Sequence, residues 1–460
     1  MIRRSRLATR PIVESLEGRM VLSALTPAQL DSAYGLNAVN ANGAGQTIAL
    51  IDVYHDPNIA TELATFDAKY GLAPAQLSVV NLAGSQVDSG WSSEEALDVE
   101  WAHAAAPGAK ILVVEANSAN TTDLITAINA AKSNPNVSVV SMSWGTSEFR
   151  SETIYDSVFT TPVGHTGITY LASAGDSGAG AEWPASSPNV IGVGGTSLVV
   201  GASGAWASET AWAGSGGGIS RYEAEPSYQK SVQSTGLRTS PDVSLDADPN
   251  TGVSVYSIAS GGWIQVGGTS LGSPVWGGLI AVADQGRAAI GKGTLDGATQ
   301  TLPDLYTAPS GSFDDITTGS RATVGYDTST GLGTPNAVPL VAALVGDPNT
   351  GAVAAPTGTP APTPPAPTPP APTPPAPTPA PTPRHPRRGR WGFFGQTSSS
   401  SGNTQTTVQN APKRSTQTTP KTTQPTTTGH VPTGKVGHSP FSVGRSVDVV
   451  LHSWGRSSTL

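Results

Sequence analysis

The 460-residue sequence predicts an α/β fold in which helices flank a central, mostly parallel sheet. The first observation is that apolar, strand-like runs alternate with helical segments along residues 46–132, which is typical of parallel strands covered by helices. The second is that 53 glycines suit a turn-rich chain. The third is a change of composition after residue 347, where a Pro-rich and then Thr/Gln-rich tail, predicted to be disordered, begins.

Each early element follows from a local pattern. Thr26 is expected to cap a first helix that has Pro27 in its first position, where a missing N–H is tolerated. Another helix is expected around residues 91–103, with Ser92 or Ser93 as its cap. The remaining elements of this part of the chain are a strand at 46–53, a helix at 59–70, a strand at 110–115, a helix at 122–132 and a strand at 137–140.

Residues 267–274 read Gly-Gly-Thr-Ser-Leu-Gly-Ser-Pro and precede a run of small residues that predicts a buried helix. Ser270 falls in the first turn of that helix. There the helix dipole and free N–H groups favour a developing oxyanion, so Ser270 is predicted to be a nucleophile. Ser197 also follows Gly-Gly-Thr, but it runs into an apolar stretch without the proline, so it is predicted to be structural.

The base that would activate Ser270 is predicted to be a carboxylate, because none of the seven histidines lies in the His-Gly-Thr motif in which a subtilisin presents its base. Glu94 and Asp98 are four residues apart and share one helix face. Two carboxylates that close cannot both ionise cheaply, so one keeps its proton and its pKa rises. Such a pair can accept a serine proton at acidic pH. The alternative interpretation is a solvated acidic face near a helix start.

A third carboxylate, Asp176, follows an apolar run within the sequence Gly-Asp-Ser-Gly. A protonated aspartic acid at this strand end would donate a hydrogen bond to an oxyanion, whereas an ionised one would repel it. The alternative interpretation is an aspartate in a Gly-rich turn that accepts from local backbone N–H groups.

In chain order these motifs resemble the sedolisin family, also called serine-carboxyl peptidases, over about residues 25–345. Three further segments carry the resemblance: residues 141–145, 183–188 and 240–244. The resemblance implies a subtilisin-like fold, endopeptidase or tripeptidyl-peptidase activity on protein or peptide substrates, an acidic pH optimum and one bound Ca²⁺. A neutral subtilase is a weaker alternative, since the histidine motif is missing.

The resemblance also implies ligands and substrate contacts. Asp315 and Asp327 would give carboxylates to the calcium ion, and Ile316, Thr323 and Gly325 would give backbone carbonyls. The alternative for this segment is a turn-rich hairpin without metal.

Substrate is expected to pair as an extended strand with Ser143, Trp144 and Gly145, with Trp144 also packing on Glu94 or donating to it. Gly217 is expected to form the opposite wall, because the Gly-rich segment 214–218 would leave its backbone free to pair. Ordinary strand-end and loop chemistry is the alternative for both segments.

The composition limits other functions. Only 13% of residues are charged and the net charge is −8, which argues against nucleic-acid binding by the globular part. There is no cysteine, which excludes disulfides and thiol catalysis. No apolar run reaches the ~18 residues that would span a membrane.

Four segments are expected: an export leader or disordered start at 1–24, a sedolisin-like peptidase domain at 25–346, a Pro/Thr-rich linker at 347–383, and a basic, then Ser/Thr/Gln-rich low-complexity tail at 384–460. The leader resembles those of exported bacterial proteins, so the protein is expected to be a secreted or cell-surface monomer whose tail contacts the cell surface. The resemblance also leads us to expect a protein without the large N-terminal prodomain that most of the family carry. This motivates the second hypothesis, a catalytically silent sedolisin-like surface-binding module.

Overall fold

The computed structural model describes residues 24–346, except Ala179 and Ser203. The expected leader up to residue 23, the linker at 347–383 and the tail at 384–460 lie outside the described residues. Within them, no helix is both long and apolar enough to cross a membrane.

Seven α-helices are described. They are α1 (Pro27–Tyr34), α2 (Ile59–Tyr70), α3 (Ser89–Ala105), α4 (Thr121–Lys132), α5 (Thr269–Ala289), α6 (Leu302–Tyr306) and α7 (Ala337–Val345). Short 3-10 turns lie at Leu36–Ala38, Glu152–Phe159 and Ser227–Ser231, and a single π turn at Gly297–Thr301 precedes α6.

The strands in the described part of the chain begin with β1 (Thr47–Val53), β2 (Gln76–Asn81), β3 (Lys110–Ala116), β4 (Val139–Met142), β5 (Thr146–Ser147), β6 (Thr169–Ser173), β7 (Glu182–Trp183) and β8 (Ile191–Val200). They continue with β9 (Trp206–Ala211), β10 (Gly218–Ala224), β11 (Leu237–Ser240), β12 (Val243–Asp246), β13 (Val253–Ser257), β14 (Gly262–Val266), β15 (Phe313–Asp314) and β16 (Thr334–Pro335).

The central sheet has seven parallel strands in the order β12-β8-β6-β4-β1-β3-β2, and β9 pairs antiparallel with the end of β8. The predicted α/β class with a mostly parallel sheet is therefore confirmed. Parallel strands place their carboxyl ends at one edge, where the loops after β4 and β6 meet. Ser143 and Asp176 follow those two strands.

The sheet is covered on both faces, as a parallel sheet requires. All seven residues of β1 are buried. Ile48 and Leu50 belong to one apolar cluster, whereas Ala49 and Ile51 belong to the other, because successive side chains of a strand point to opposite faces.

The two most deeply embedded helices, α3 and α5, pack closely against each other. A Cβ added at Gly278 of α5 would lie 2.6 Å from the Cβ of Ala105 in α3, so only glycine permits this approach. The contact sets α3 beside α5 and brings their functional residues into one region.

Two predicted helix starts have different outcomes. Thr26 caps α1 with Pro27 in its first turn, as expected, and its N–H donates to Oε1 of Gln29 at 3.0 Å. The cap predicted for the helix around residues 91–103, which is α3, was wrong. α3 begins at Ser89, and the Asp88 side chain accepts from the N–H groups of Gly90 and Trp91. An earlier carboxylate therefore satisfies the free N–H groups, and both predicted caps lie inside the helix.

Candidate active site

Ser270 lies in the first turn of α5, close to the residue that follows β4. Its side chain is 3% exposed, and its hydroxyl donates to the carbonyl of Ser143 at 3.4 Å. Gly268 precedes the helix with φ +130°, and a Cβ there would lie 2.7 Å from Oδ2 of Asp176. Glycine is therefore needed where the chain enters the helix beside Asp176. The first-turn N–H groups have no partners within the helix itself, which suits this end to a developing oxyanion.

Glu94 and Asp98 lie on α3, and both are buried, at 1% and 0% exposure. They do not form the solvated acidic face of the alternative interpretation. The hydroxyl of Ser143 donates to Oδ1 of Asp98 at 2.7 Å, and it also lies 3.2 Å from the carbonyl oxygen of Ser270. Burial first, and then the charges of Asp52 and Glu94, raise the pKa of Asp98 well above its usual range. Ser143 thus joins the predicted acid pair to the residue predicted as nucleophile.

Asp176 lies three residues beyond the end of β6 and is half-buried. Its Oδ1 accepts from both the N–H and the hydroxyl of Thr269, at 2.8 and 2.9 Å. These two donors come from the residue next to Ser270 and not from the local turn, so the alternative interpretation of a self-contained turn was wrong. Because Oδ1 already accepts two hydrogen bonds, a proton that Asp176 donates would sit on Oδ2, the oxygen beside Gly268.

Residues 143–145 follow β4 directly, but their side chains are not a substrate surface. Trp144 is fully buried, with its ring centroid 6.0 Å from that of Trp183, and its indole N–H donates to the carbonyl of Ile51 at 2.9 Å. The expected donation from Trp144 to Glu94 was therefore wrong, because that N–H is already used. Gly145 is buried as well. The Trp144 side chain is therefore not available to a substrate, and the carbonyl of Ser143 already accepts from the hydroxyl of Ser270.

Gly217 does not have the free backbone that the sequence predicts for the opposite wall. Its N–H donates to the carbonyl of Gly180 and its carbonyl accepts from the N–H of Gly180, both at 3.0 Å. The carbonyl of Gly217 also accepts from Arg321 at 3.0 Å. The expectation that Gly217 pairs with substrate was wrong in this respect, since its backbone already pairs within the protein.

In the loop that carries the predicted calcium ligands, the carboxylates of Asp315 and Asp327 both contact residues 323–325. Oδ2 of Asp315 accepts from the N–H of Gly325 at 2.9 Å, and Oδ2 of Asp327 accepts from the N–H of Thr323 at 3.0 Å. The side chain of Ile316 is buried beneath the loop. Within residues 24–346, no three His, Cys, Asp or Glu side chains form a group suited to a metal, so an ion here would depend on backbone carbonyls.

Sequence reasoning missed most of a buried acidic cluster behind the pair. Asp52 and Glu115 lie opposite each other on β1 and β3. Burial and then the charge of Glu115 raise the pKa of Asp52 to about 8. Burial and then the charge of Asp52 raise the pKa of Glu95 well above its usual range. His55 at the surface contacts Glu115 at 2.8 Å. The sequence contained a signal for this cluster, because Asp52 and Glu115 lie near the carboxyl ends of the predicted strands at 46–53 and 110–115.

A cavity of about 340 Å³ lies next to the Asp176 turn and was also missed. Ser177 lines it, together with the side chains of Glu148, Glu182 and Arg221. A Cβ at Gly175 would lie 2.7 Å from the carboxylate of Glu182, so this lining residue packs against the residue before Asp176. Its walls are mostly polar and charged, and they come from segments far apart in sequence.

The other nucleophile and base candidates lie elsewhere. Ser197, in β8, donates to Oδ2 of Asp248 at 2.7 Å, which agrees with a structural role. Among the described histidines, His103 contacts the carbonyl of Ala73 and His165 contacts that of Asn134, both at 2.9 Å. Neither contact is with Ser270.

Comparison with known proteins supports the family resemblance. Residues 82–301 match the Subtilase family. Kumamolisin of Bacillus sp. (strain MN-32) is 33% identical over 372 residues, an alignment that covers 70% of this chain and 64% of kumamolisin. Sedolisin of Pseudomonas sp. (strain 101) is 29% identical over 333 residues, covering 63% of this chain and 55% of sedolisin. The chain therefore spans less than two thirds of the length of these relatives.

A solved structure of Pseudomonas sedolisin, described as a serine-carboxyl proteinase in complex with pseudo-iodotyrostatin, is also similar. It is 29% identical, has a TM-score of 0.62, and matches over 71% of this chain and 99% of the sedolisin chain. The order of the motifs, the parallel sheet and these similarities have one explanation: the chain belongs to the sedolisin family and has its subtilisin-like fold.

Proposed function

We propose that this protein is an acid-active serine peptidase of the serine-carboxyl kind, which hydrolyses peptide bonds in proteins or peptides. The observation that carries the proposal is the position of Ser143. Its hydroxyl donates to Asp98 at 2.7 Å, and its carbonyl accepts from Ser270 at 3.4 Å. A buried carboxyl pair and a helix-start serine thus share one neighbour, which supports the proposal that Glu94 comes within hydrogen-bond reach of Ser270 when substrate binds.

The proposed reaction begins when the hydroxyl oxygen of Ser270 attacks the scissile carbonyl carbon. Glu94 takes the hydroxyl proton and then gives it to the leaving amine as the C–N bond breaks, which leaves an acyl-enzyme on Ser270. Water then attacks the ester carbon while Glu94 takes its proton. Glu94 passes that proton to the Ser270 oxygen as the ester C–O bond breaks, which releases the acid product and restores the hydroxyl. Asp98 shares a proton with Glu94 and orients it, because Ser143 holds its Oδ1.

The oxyanion is proposed to accept hydrogen bonds from the N–H of Ser270 and from a protonated Asp176. The two donors that already face Oδ1 of Asp176 leave Oδ2 for the proton. An ionised Asp176 would repel the oxyanion, so the reaction needs an acidic medium. Acidic pH also suits the buried pair, whose members cannot both carry charge in this low-dielectric surrounding.

A substrate side chain next to the scissile bond is proposed to enter the cavity lined by Ser177, Glu148, Glu182 and Arg221. The polar lining favours a polar or charged side chain over a large aliphatic one. The cavity lies beside the turn that holds the proposed oxyanion donor, and this position supports the proposal.

One calcium ion is proposed to bind the loop at residues 315–327. The carboxylates of Asp315 and Asp327 would hold it together with the carbonyls of Ile316, Thr323 and Gly325, a set of hard oxygen ligands. The convergence of both carboxylates on residues 323–325 supports this, although the ion would replace their contacts with N–H groups. When bound, calcium would stabilise the loop without taking part in proton transfer.

Secretion, a cell-surface contact by the tail at 384–460 and a monomeric state are proposed from the sequence. The full-length chain, incubated with a mixture of peptides from pH 3 to 8, tests the enzymatic proposal. We expect cleavage that is strongest below pH 5 and lost in Ser270→Ala. Folded protein that cleaves nothing at any pH would contradict the proposal and favour the silent surface-binding module.

A further inference from the structure

Arg321 has an unusual backbone and an unusual set of partners. Its φ of +59° is in the left-handed region, which residues other than glycine seldom adopt. Its half-buried guanidinium donates through Nη1 to the carbonyl of Gly217 at 3.0 Å and through Nη2 to the carbonyl of Ser215. The planar fork of arginine can engage two carbonyls at once, which a lysine ammonium does less well.

These two carbonyls belong to the Gly-rich segment 214–218, and that segment holds the turn around Asp176 from both sides. Gly217 exchanges two hydrogen bonds with Gly180, each 3.0 Å long. The N–H of Gly216 donates to the carbonyl of Gly175 at 2.6 Å. The contacts therefore fall on residues just before and shortly after Asp176 and restrain the backbone on either side of it, while its carboxyl group contacts Thr269.

Segment 214–218 is held on its other side by the protein core. The hydroxyl of Ser215 donates to the carbonyl of Ser329 at 2.7 Å and accepts from the N–H of Gly195 at 2.8 Å. A Cβ at Gly217 would lie 2.5 Å from the carbonyl oxygen of Thr328, so only glycine fits there. Arg321 adds the charged contacts to this packing, and charge-assisted hydrogen bonds are the stronger kind.

We propose that Arg321 is a positioning residue of the peptidase reaction, which acts through segment 214–218 to keep Asp176 against Thr269 and the start of α5. This inference rests on the proposed role of Asp176 as oxyanion donor. The contacts from Arg321 to residues 215–217, and from these to Gly175 and Gly180, are present whether or not Asp176 has that role. The expected signature of the inference is a loss in kcat, because the oxyanion exists only after attack, with little change in KM.

A double-mutant cycle in the full-length chain tests this route. Asp176→Ala should lower kcat by about 10²- to 10³-fold, as is usual for removal of an oxyanion donor. Arg321→Met, which keeps the aliphatic stem, should lower kcat about tenfold or more with KM within about twofold. In the Asp176→Ala background Arg321→Met should cost almost nothing further, since its effect passes through Asp176.

The possible results are distinguishable. Equal losses from Arg321→Met in both backgrounds would overturn the inference and leave the proposed function standing. A rise in KM alone would overturn it too, because that indicates a substrate contact. Full activity of Asp176→Ala would refute the oxyanion role itself, and the inference with it, and that single variant shows this without the cycle.

Hydrogen–deuterium exchange gives a readout that does not depend on activity. In Arg321→Met, the amides of residues 174–180 and 214–218 should exchange faster than in the wild type, while those of the central strands stay protected. Arg321→Lys keeps the charge without the fork and should fall between the two. Arg150→Met removes an exposed arginine outside the site and serves as the matched control. Unchanged exchange in Arg321→Met would overturn the inference.

Discussion

The hydroxyl of Ser143 donates to Oδ1 of Asp98 at 2.7 Å, while the carbonyl of the same residue accepts from the Ser270 hydroxyl at 3.4 Å. One residue after a central strand thus contacts two helices that meet only in the folded chain. The relationship explains why a carboxylate pair on α3 is available to a serine on α5. The hydrogen bond from Ser143 also lowers the pKa of Asp98, against the larger effect of burial.

The choice of nucleophile has a matched control within this chain. Ser270→Ala should lower peptide cleavage by a factor of at least about 10³, because it removes the proposed nucleophile and the neighbouring Thr269 hydroxyl already donates to Asp176. Ser197→Ala should keep wild-type activity, since that hydroxyl only donates to Asp248. Initial rates at pH 4 measure both variants. Retained cleavage in Ser270→Ala would refute the assignment.

Ser143→Ala should move the alkaline limb of the kcat/KM profile to higher pH. The hydrogen bond from Ser143 lowers the pKa of Asp98, so its loss lets burial and the neighbouring charges raise that pKa further. The pair then keeps its proton to higher pH, although the maximal rate falls because Asp98 is less well oriented. Rates between pH 3 and 8 test this, and a shift to lower pH would contradict it.

Asp52→Asn should shift the same limb in the opposite direction. Asp52 becomes charged as the pH approaches its own pKa of about 8, and this charge raises the pKa of Asp98. A neutral amide in its place removes the charge, so the shift is expected at the upper end of the pH range. Comparison of the two variants controls for general damage, since nonspecific loss of activity would not move the limbs in opposite directions. Identical limbs in wild type and Asp52→Asn would show that Asp52 does not influence the pair.

Stability should fall as pH rises from about 4 to 8. Burial raises the pKa of several carboxyl groups to about 8: Asp52, Glu62, Glu152, Glu223 and Asp284. In the unfolded chain these groups ionise near pH 4. Between these values the folded state holds more protons, so each rise in pH lowers the free energy of unfolding. The Tm should be at least about 5 °C higher at pH 4 than at pH 8.

Asp284→Asn provides the control for that prediction. Oδ1 of Asp284 accepts from the N–H of Leu295 at 2.8 Å, and an asparagine oxygen can keep this bond. The variant should therefore lose part of the pH dependence, mainly by becoming more stable near pH 8. Thermal melts of both proteins across the range measure the difference, and a steeper dependence in the variant would contradict the linkage.

Calcium should raise the Tm of the full-length chain, and a chelator should lower it, if the loop at residues 315–327 binds the ion as proposed. Asp315→Asn is the suitable variant, because this exposed side chain contacts only the N–H of Gly325 among the contacts described for it. Calorimetric titration should give one ion per chain in the wild type and much weaker binding in the variant. No binding at millimolar calcium would refute the site.

Local sequence patterns predict the helices and strands of this protein and the spacing of residues within them. The alternation of apolar runs indicates the parallel sheet, and α2 has the bounds expected for it, Ile59–Tyr70. The four-residue spacing of Glu94 and Asp98 and the glycines before Ser270 likewise have meaning within one helix or one turn. Spacing along a helix is set by its own backbone geometry, so it can be read before the chain is folded.

Contacts between distant segments could not be read in this way. Asp52 influences Asp98 because β1 lies beneath α3, and Gly217 lacks a free backbone because Gly180 lies opposite it. Arg321 meets Ser215 across 106 residues of chain. These contacts depend on how strands and loops pack in three dimensions, and burial there changes both the acidity of carboxyl groups and the availability of backbone hydrogen bonds.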